Sequence, residues 1–449
     1  MLKLSKLLSF LIVIVFVFVS TIAAQSSNNA QKYSEIIKEN IYKDYKAMYR
    51  KAGESLKYPF LTPGSAQYAD VLWDWDSWLS NVALRQILIN AGAKADKTEA
   101  AEYEQGCILN FLSYSEIDGW MPIMIGRKMD VASTKPKNIY EENMHKPCLA
   151  QHAAFLVQQD NGNAEWLRKH FFKLQYFVNG YRNRYKHKAT GLYFWQNDVM
   201  IGVDNDPCTY YRPDRSSGSI YLNAMMYKEF KAMVYLANQL KLNEIAELYD
   251  KDAKELCNSI QKNCWDERDG FFYSVDLNLR AVNTEKWAYH GGAPRDWDCV
   301  IQRIDVWSGF MAMWAGIATA EQAKRMVEHY NNEKTFKAPY GIRTLSKLEK
   351  MYNLRASGNP SSWLGPIWGI SNYMTWRGFV DYGFKSEAHD LATKTINLFG
   401  RDLEKNGTLH EYYQPENGEP ILNPGFQNWN YLVLNMLAWV EGKPVVKEF

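Results

Sequence analysis

Helical periodicity recurs about a dozen times along this chain, with almost no alternating strand pattern between the repeats. Segments with apolar residues at helical spacing fall near 33–50, 71–88, 98–113, 147–158, 163–184, 219–239, 242–262, 305–315, 319–329, 367–382, 385–398 and 427–440. Leu79, Val82, Ala83 and Ile87 form one such stripe, broken where the polar Gln86 takes the i+7 place. Only 191–195 and 270–276 read as short strands. Between helices, loops carry Gly with Trp, Asp or Tyr, as in WDWDSW from Trp73, DGWMP from Asp118, WDERDGFF from Trp265 and WLGPIW from Trp363. Successive helical hairpins without a fixed repeat length argue against an open solenoid and for a closed ring. The expectation is an all-α fold, an (α/α) barrel whose loops line a funnel at one end.

The chain opens with Lys3 and Lys6, an apolar run over 8–20, and small residues at Thr21, Ala23 and Ala24. This is the pattern of a secretory signal, too short in its apolar core for a comfortable membrane span. Residues 1–24 are therefore expected to be a cleaved leader, and 25–449 a single barrel domain, periplasmic or secreted. No linker-like stretch divides the remainder. A net charge of +2 with mixed signs leaves no electrostatic footprint for nucleic acid. The six cysteines lack metal-ligand spacing; an oxidising compartment permits disulfides, and free buried thiols fit equally well. No metal-binding, phosphate-binding or dinucleotide motif is present, so neither cofactor nor metal is expected.

Aromatic residues make up 14% of the chain, with 16 Trp and 29 Tyr, more than packing alone demands. They gather with acids in Trp195–Asn223, where Asp198, Asp204, Asp206 and Asp214 accompany Tyr210, Tyr211 and Arg212 ahead of a helix from Ile220. One reading is a solvated Asp-rich turn. The other is a ring-lined polar site, in which aromatic faces stack on a sugar and a carboxylate exchanges a proton with its glycosidic oxygen. Asp204 lies between Gly202 and Pro207, which fix a loop. Glu411 lies in an apolar, aromatic context where a carboxylate needs hydrogen bonds or a function. Taken singly, either acid also reads as a structural helix cap. Together they match the acid and base of glycoside hydrolysis. Trp73, Trp75 and Trp78 read either as a core stripe or, with Asp74 and Asp76 between them, as a site wall in which Asp76 holds a sugar hydroxyl, and Trp363 and Trp368 flank a Gly-Pro turn suited to stacking or to a packing corner.

The ordered set WDWDSW, GVDNDP, WSGFMAMWAGIATAEQA, FKAPYGIRTL, WLGPIWGISNYM and HEYYQPENGEP ending in FQNWNYL resembles bacterial glycoside hydrolases of family 63. The likeness is to their mannosylglycerate hydrolase-like domain and, more distantly, to trehalases, and it covers about 70–440. It implies an (α/α)6 barrel that cleaves α-linked glucosides or mannosides with inversion. It places the general acid on Asp204 and the general base on Glu411, with Trp75, Asp76, Trp363 and Trp368 on the sugar. Where relatives often read Trp-Arg-Gly-Pro-x-Trp, this chain has Leu364, leaving Arg212, Arg215 or Arg377 to supply a charged donor. Tyr211 and Arg212 complete the expected substrate contacts, and 291–299 is expected to shape the pocket. The expected activity is an inverting, exo-acting α-glycosidase on a small α-glucoside or related oligosaccharide. The alternatives are a sugar epimerase or isomerase and a non-catalytic carbohydrate-binding barrel.

Overall fold

The computed structural model describes residues 31–92, 97–138, 141–279, 297–355 and 361–449. The expected leader (1–24) and residues 291–296 of the pocket-shaping stretch lie outside them. Twelve main helical segments occur among the described residues, alternating between two kinds. One kind carries a single apolar stripe: α1 (31–44), α3 (Lys97–Ser113), α5 (Phe171–Arg184), α7 (Asn243–Cys264), α9 (Ala320–Asn331) and α11 (Lys385–Asn406). In α7 the buried residues are Ala246, Tyr249, Ala253, Leu256, Ile260 and Cys264, one face at helical spacing, so its other side meets water. At the start of α9, Thr319 and Gln322 form a capping box that satisfies the free N–H groups of its first turn.

The other kind is buried nearly all round: α2 (Asp74–Ala91), α4 (Leu149–Gln159), α6 (Ile220–Gln239), α8 (Met311–Trp314, entered by a 3-10 turn at Trp307–Phe310), α10 (Gly369–Asp381) and α12 (Val433–Val440, entered by a 3-10 turn at Asn428–Leu432). These six pack in order, α2 on α4, α4 on α6, α6 on α8, α8 on α10, α10 on α12, and α12 with its entering turn back on α2. The ring is therefore closed, and the apolar-striped helices back it from outside, as α7 backs α6 and α11 backs α10. This is the (α/α)6 toroid. Gly400 of α11 has no room for a Cβ, which would sit 2.3 Å from the Cβ of Tyr33, so α1 lies directly against it.

Short strands occur as two- and three-stranded ribbons in the loops. Val71–Trp73 pairs with Met124–Gly126, and Tyr412–Tyr413 bridges Ile367–Trp368 and Pro420–Leu422. The strand expected at 191–195 is reduced to one bridge between Lys186 and Tyr193, whereas 270–276 supplies Phe271–Phe272 and Val275–Asp276. All six cysteines carry free thiols. No helix among the described residues is long and apolar enough to cross a membrane.

Gln86, which interrupts the sequence stripe of α2, is buried and bonded: its Oε1 accepts the Val446 N–H at 2.7 Å, and its Nε2 donates to the Pro444 carbonyl at 3.2 Å. It thereby anchors the C-terminal residues. Glu448 continues the anchor, buried beside Arg377 at 3.4 Å and accepting from Trp314 Nε1 at 2.8 Å and the Tyr373 hydroxyl at 2.6 Å.

Candidate active site

Because inner and outer helices alternate, all six inner helices run the same way and their N-termini gather at one end of the ring. The loops and first turns at that end line a cavity of about 390 Å³. Trp73, Trp75 and Asp76 come from the start of α2, Lys146 from just before α4, and Asp198, Val199, Gly202 and Asp204 from the approach to α6. Trp363 and Trp368 precede α10, while Glu411 and Trp429 precede α12.

The Asp204 loop is built by its neighbours. A single helical turn, Asp198–Ile201, ends in Gly202 at φ +68°, where a Cβ would meet Lys146 Cε at 2.6 Å. Only glycine meets both the conformation and the close approach. Asn205, also left-handed at φ +56°, donates its backbone N–H to Asp198 Oδ2 at 3.1 Å. Its side-chain oxygen accepts the Trp363 N–H at 3.0 Å, tying the acid loop to the aromatic wall. In that wall Trp363 stacks on Trp368 with ring centres 4.0 Å apart, and Trp368 stacks on Tyr412 at 4.7 Å. Trp75 and Trp429 meet at 4.9 Å beside it.

Glu411 is held by its own strand ribbon, its N–H donating to the Leu422 carbonyl at 3.0 Å. The Tyr68 hydroxyl donates to its Oε1 at 2.9 Å and Asn423 Nδ2 donates to its Oε2. Burial pushes its carboxyl up to about 7, against those two hydrogen bonds and with the charge of Asp204 acting in the same direction. Burial and the neighbouring Asp204 and Asp206 push Asp198 up to about 7 as well. Asp76, buried near Asp74 and Glu411, rises to about 8 and accepts from Asn428 Nδ2 at 2.5 Å. Asp74 is different. Burial opposes its charge, but Lys146 Nζ at 2.9 and 3.1 Å holds its carboxyl below the usual range.

Of the residues singled out in the sequence, Asp204, Glu411, Trp75, Asp76, Trp363 and Trp368 meet at this cavity. Tyr211 and Arg212 do not line it. Tyr211 is exposed and packs edge-on against Tyr210, and Arg212 pairs with Asp276. Nor does either of the other arginines fill the place left by Leu364, which is itself buried. Arg215 donates to Gln196 Oε1 at 3.0 Å and to the Arg184 carbonyl at 2.9 Å, and Arg377 is spent on Glu448 at the far end of the ring. Tyr68, Asn423 and Lys146 carried no periodicity or motif that would have marked them, whereas Trp429 lay inside the quoted FQNWNYL stretch.

A ring of helical hairpins with two carboxylates facing an indole-walled pit defines a carbohydrate-active (α/α)6 enzyme, a glycoside hydrolase. The sequence profile of the mannosylglycerate hydrolase MGH1-like glycoside hydrolase domain matches residues 69–429, and the chain belongs to that family. It is 21% identical over 408 residues to mannosylglycerate hydrolase MGH1 of Selaginella moellendorffii, covering 82% of this chain and 80% of that protein. A probable trehalase of Eremothecium gossypii is 27% identical over 222 residues, 44% of this chain but only 26% of the trehalase. Among solved structures, a GH63 mannosylglycerate hydrolase from Thermus thermophilus in complex with glucose aligns with a TM-score of 0.64 at 18% identity. That alignment covers 90% of this chain and 98% of that one. The fold and the family 63 resemblance expected from the sequence are both met.

Proposed function

We propose that the chain hydrolyses a small α-glucoside or related α-linked oligosaccharide from its end, with inversion at the anomeric carbon. The observation that carries this reading is the meeting of Asp204 and Glu411 at one cavity whose wall is the Trp363–Trp368 stack. The indole faces take the apolar face of a sugar, and Asp76 accepts from a ring hydroxyl. Asp204 protonates the departing glycosidic oxygen while Glu411 removes a proton from water on the opposite face of the ring. A cavity of about 390 Å³ is at the small end of ligand sites, which favours a terminal sugar over the interior of a polymer. Epimerisation is less well supported, because no histidine is among the described residues that line the cavity. Proton NMR recorded before mutarotation tests the reading: β-sugar must appear first from an α-glycoside. First release of the α-anomer overturns inversion, and conversion of free sugar without glycoside cleavage overturns hydrolysis.

A further inference from the structure

The loop before α6 carries three aspartates near its tip, and only two of them line the cavity. Asp206 is engaged within the loop, where its carboxyl accepts from the Thr209 side chain and from the backbone N–H groups of Cys208 and Thr209. Asp198 and Asp204 both face the cavity. Asp198 Oδ2 accepts the backbone N–H of Asn205 at 3.1 Å, so the residue next to Asp204 is clasped back onto the turn that Asp198 begins. That turn is itself capped, Asn197 Oδ1 accepting the Val199 N–H at 3.1 Å. The other oxygen of Asp198, Oδ1, is buried with no partner among the described residues. A carboxylate with a bare buried oxygen is costly, and the same oxygen carrying a proton costs less. The loop that holds the acid therefore holds a second carboxyl built to keep a proton.

We infer that Asp198 is a positioning residue for the general acid: its carboxyl clasps the loop that carries Asp204 and shares with Asp204 the one proton that turnover requires. The inference rests on the hydrolase reading and extends it to how the acid stays loaded. Two carboxyls on one clasped loop lose their second proton with more difficulty than their first. Whichever ionises first, the remaining proton stays on the pair to a higher pH than one carboxyl would hold it. Asp204 delivers that proton to the glycosidic oxygen as the bond to the anomeric carbon breaks, while Glu411 takes one proton from the attacking water. Both carboxyls of the pair are then ionised, and the proton released by Glu411 to solvent balances the one the pair regains.

The groups facing the pair set the sign of its pH dependence. Burial pushes Asp198 up to about 7, and the charges of Asp204 and Asp206 act in the same direction. Glu411, on the strand ribbon, also feels the charge of Asp204. Asp76 faces the same cavity from α2, and Lys146 from before α4, with Asp74 against its ammonium at 2.9 Å. Of the arginines on neighbouring loops, Arg127 lies 3.6 Å from Asp70 and Arg355 is exposed. Removing the carboxyl of Asp198 leaves the proton with one carboxyl instead of two, so the alkaline limb of kcat/KM moves to lower pH.

The test follows kcat/KM against pH for an alkyl α-glycoside and an activated aryl α-glycoside, the second needing little protonation to depart. Asp198→Asn keeps an oxygen for the Asn205 N–H and removes the charge. Its alkaline limb should move down by about one pH unit for the alkyl glycoside and stay in place for the aryl glycoside. Asp198→Glu restores the charge and should return the limb towards its wild-type position. Asp198→Ala removes the acceptor too, and should lower kcat for the alkyl glycoside by about tenfold or more with KM little changed. An alkaline limb that stays put in Asp198→Asn, or moves equally for both substrates, overturns the inference, and so does an Asp198→Ala loss that is equal for both. If Asp198→Asn fails to fold, Asp198→Ser, a smaller neutral acceptor, is read in the same way. If the wild type cleaves no α-glycoside, the hydrolase reading fails separately. Carbon-13 NMR of the carboxyl groups then decides the sharing: Asp198 should titrate at lower pH in Asp204→Asn than in the wild type, and equal titration overturns it.

Discussion

Asn205 Oδ1 accepts the backbone N–H of Trp363 at 3.0 Å, so the residue beside the acid also fixes the stacked wall. Asn205 Nδ2 adds a second link to the Ser361 carbonyl at 3.3 Å. The Asp204 loop and the tryptophan stack are thus tied together, although 158 residues separate Asn205 from Trp363 in the chain. Asn205→Ala removes both links and leaves a buried N–H without an acceptor, at about 1–3 kcal/mol. The larger effect falls on turnover: a displacement of about 1 Å between acid and sugar costs on the order of a hundredfold. Steady-state kinetics beside thermal unfolding should show kcat falling far more than stability does.

The two carboxylates should separate by leaving group. Asp204→Asn should abolish cleavage of alkyl glycosides while sparing activated aryl glycosides, which need little protonation to depart. Glu411→Gln should damage both, because water activation is required in each case. Equal losses for Asp204→Asn on the two substrate types would contradict its role as the acid.

With Glu411 as the proposed base, a carboxyl pushed up to about 7 should give kcat/KM an acid limb that falls tenfold per pH unit below neutrality. The same displacement makes a stability statement. The folded state raises Glu411 from 4.5 to about 7 and so binds its proton more tightly than the unfolded chain. Stability associated with this group is therefore present below pH 4.5 and lost as pH rises through 7, by on the order of 3 kcal/mol. Glu411→Gln should unfold at higher temperature than the wild type at pH 8 and show little gain at pH 4.5. Melting curves at the two pH values check this directly.

At the opposite end of the ring, Glu448 and Arg377 are both buried and paired. Arg377→Met leaves the buried Glu448 carboxylate with Lys228 as its remaining cation and should cost about 3 kcal/mol in urea unfolding. The double variant Arg377→Met with Glu448→Leu should recover most of that loss. KM should stay unchanged in both, because neither residue lines the cavity.

We propose from the lysines and short apolar run of residues 1–24 that the chain is exported and trimmed near Ala24. N-terminal sequencing of the protein from its native host should begin at Ala24 or Gln25. A membrane-bound form retaining residues 1–20 would contradict cleavage.

The architecture was legible because helical period survives in single sequence, and each of the twelve expected segments has its helix. The difference between inner and outer helices was partly hidden, since an inner helix is buried on all sides and shows no single clean face. Gln86 is the example, an apparent flaw in the α2 stripe that binds the last residues of the chain. Acid and aromatic clustering found Asp204, Glu411 and the stacked tryptophans, but closeness in sequence was misleading for Tyr211 and Arg212. Beyond Thr209 the chain passes to an exposed turn, and Arg212 is drawn away to Asp276. Tyr68 and Asn423 were invisible because their meaning lies in what they touch: Tyr68 reaches Glu411 across 343 residues, and no local pattern records such a meeting.

The bond from Asn428 to Asp76 joins the last inner helix to the first across 352 residues. The first inner helix therefore cannot complete its packing until the last hairpin of the chain has arrived. Until then the ring is an open horseshoe whose indole wall and buried acids face water. Contacts of such long sequence separation form late. The indole-walled pit is thus the last part of the protein to close, and a chain truncated before the final hairpin should be rich in helix but lack the pit.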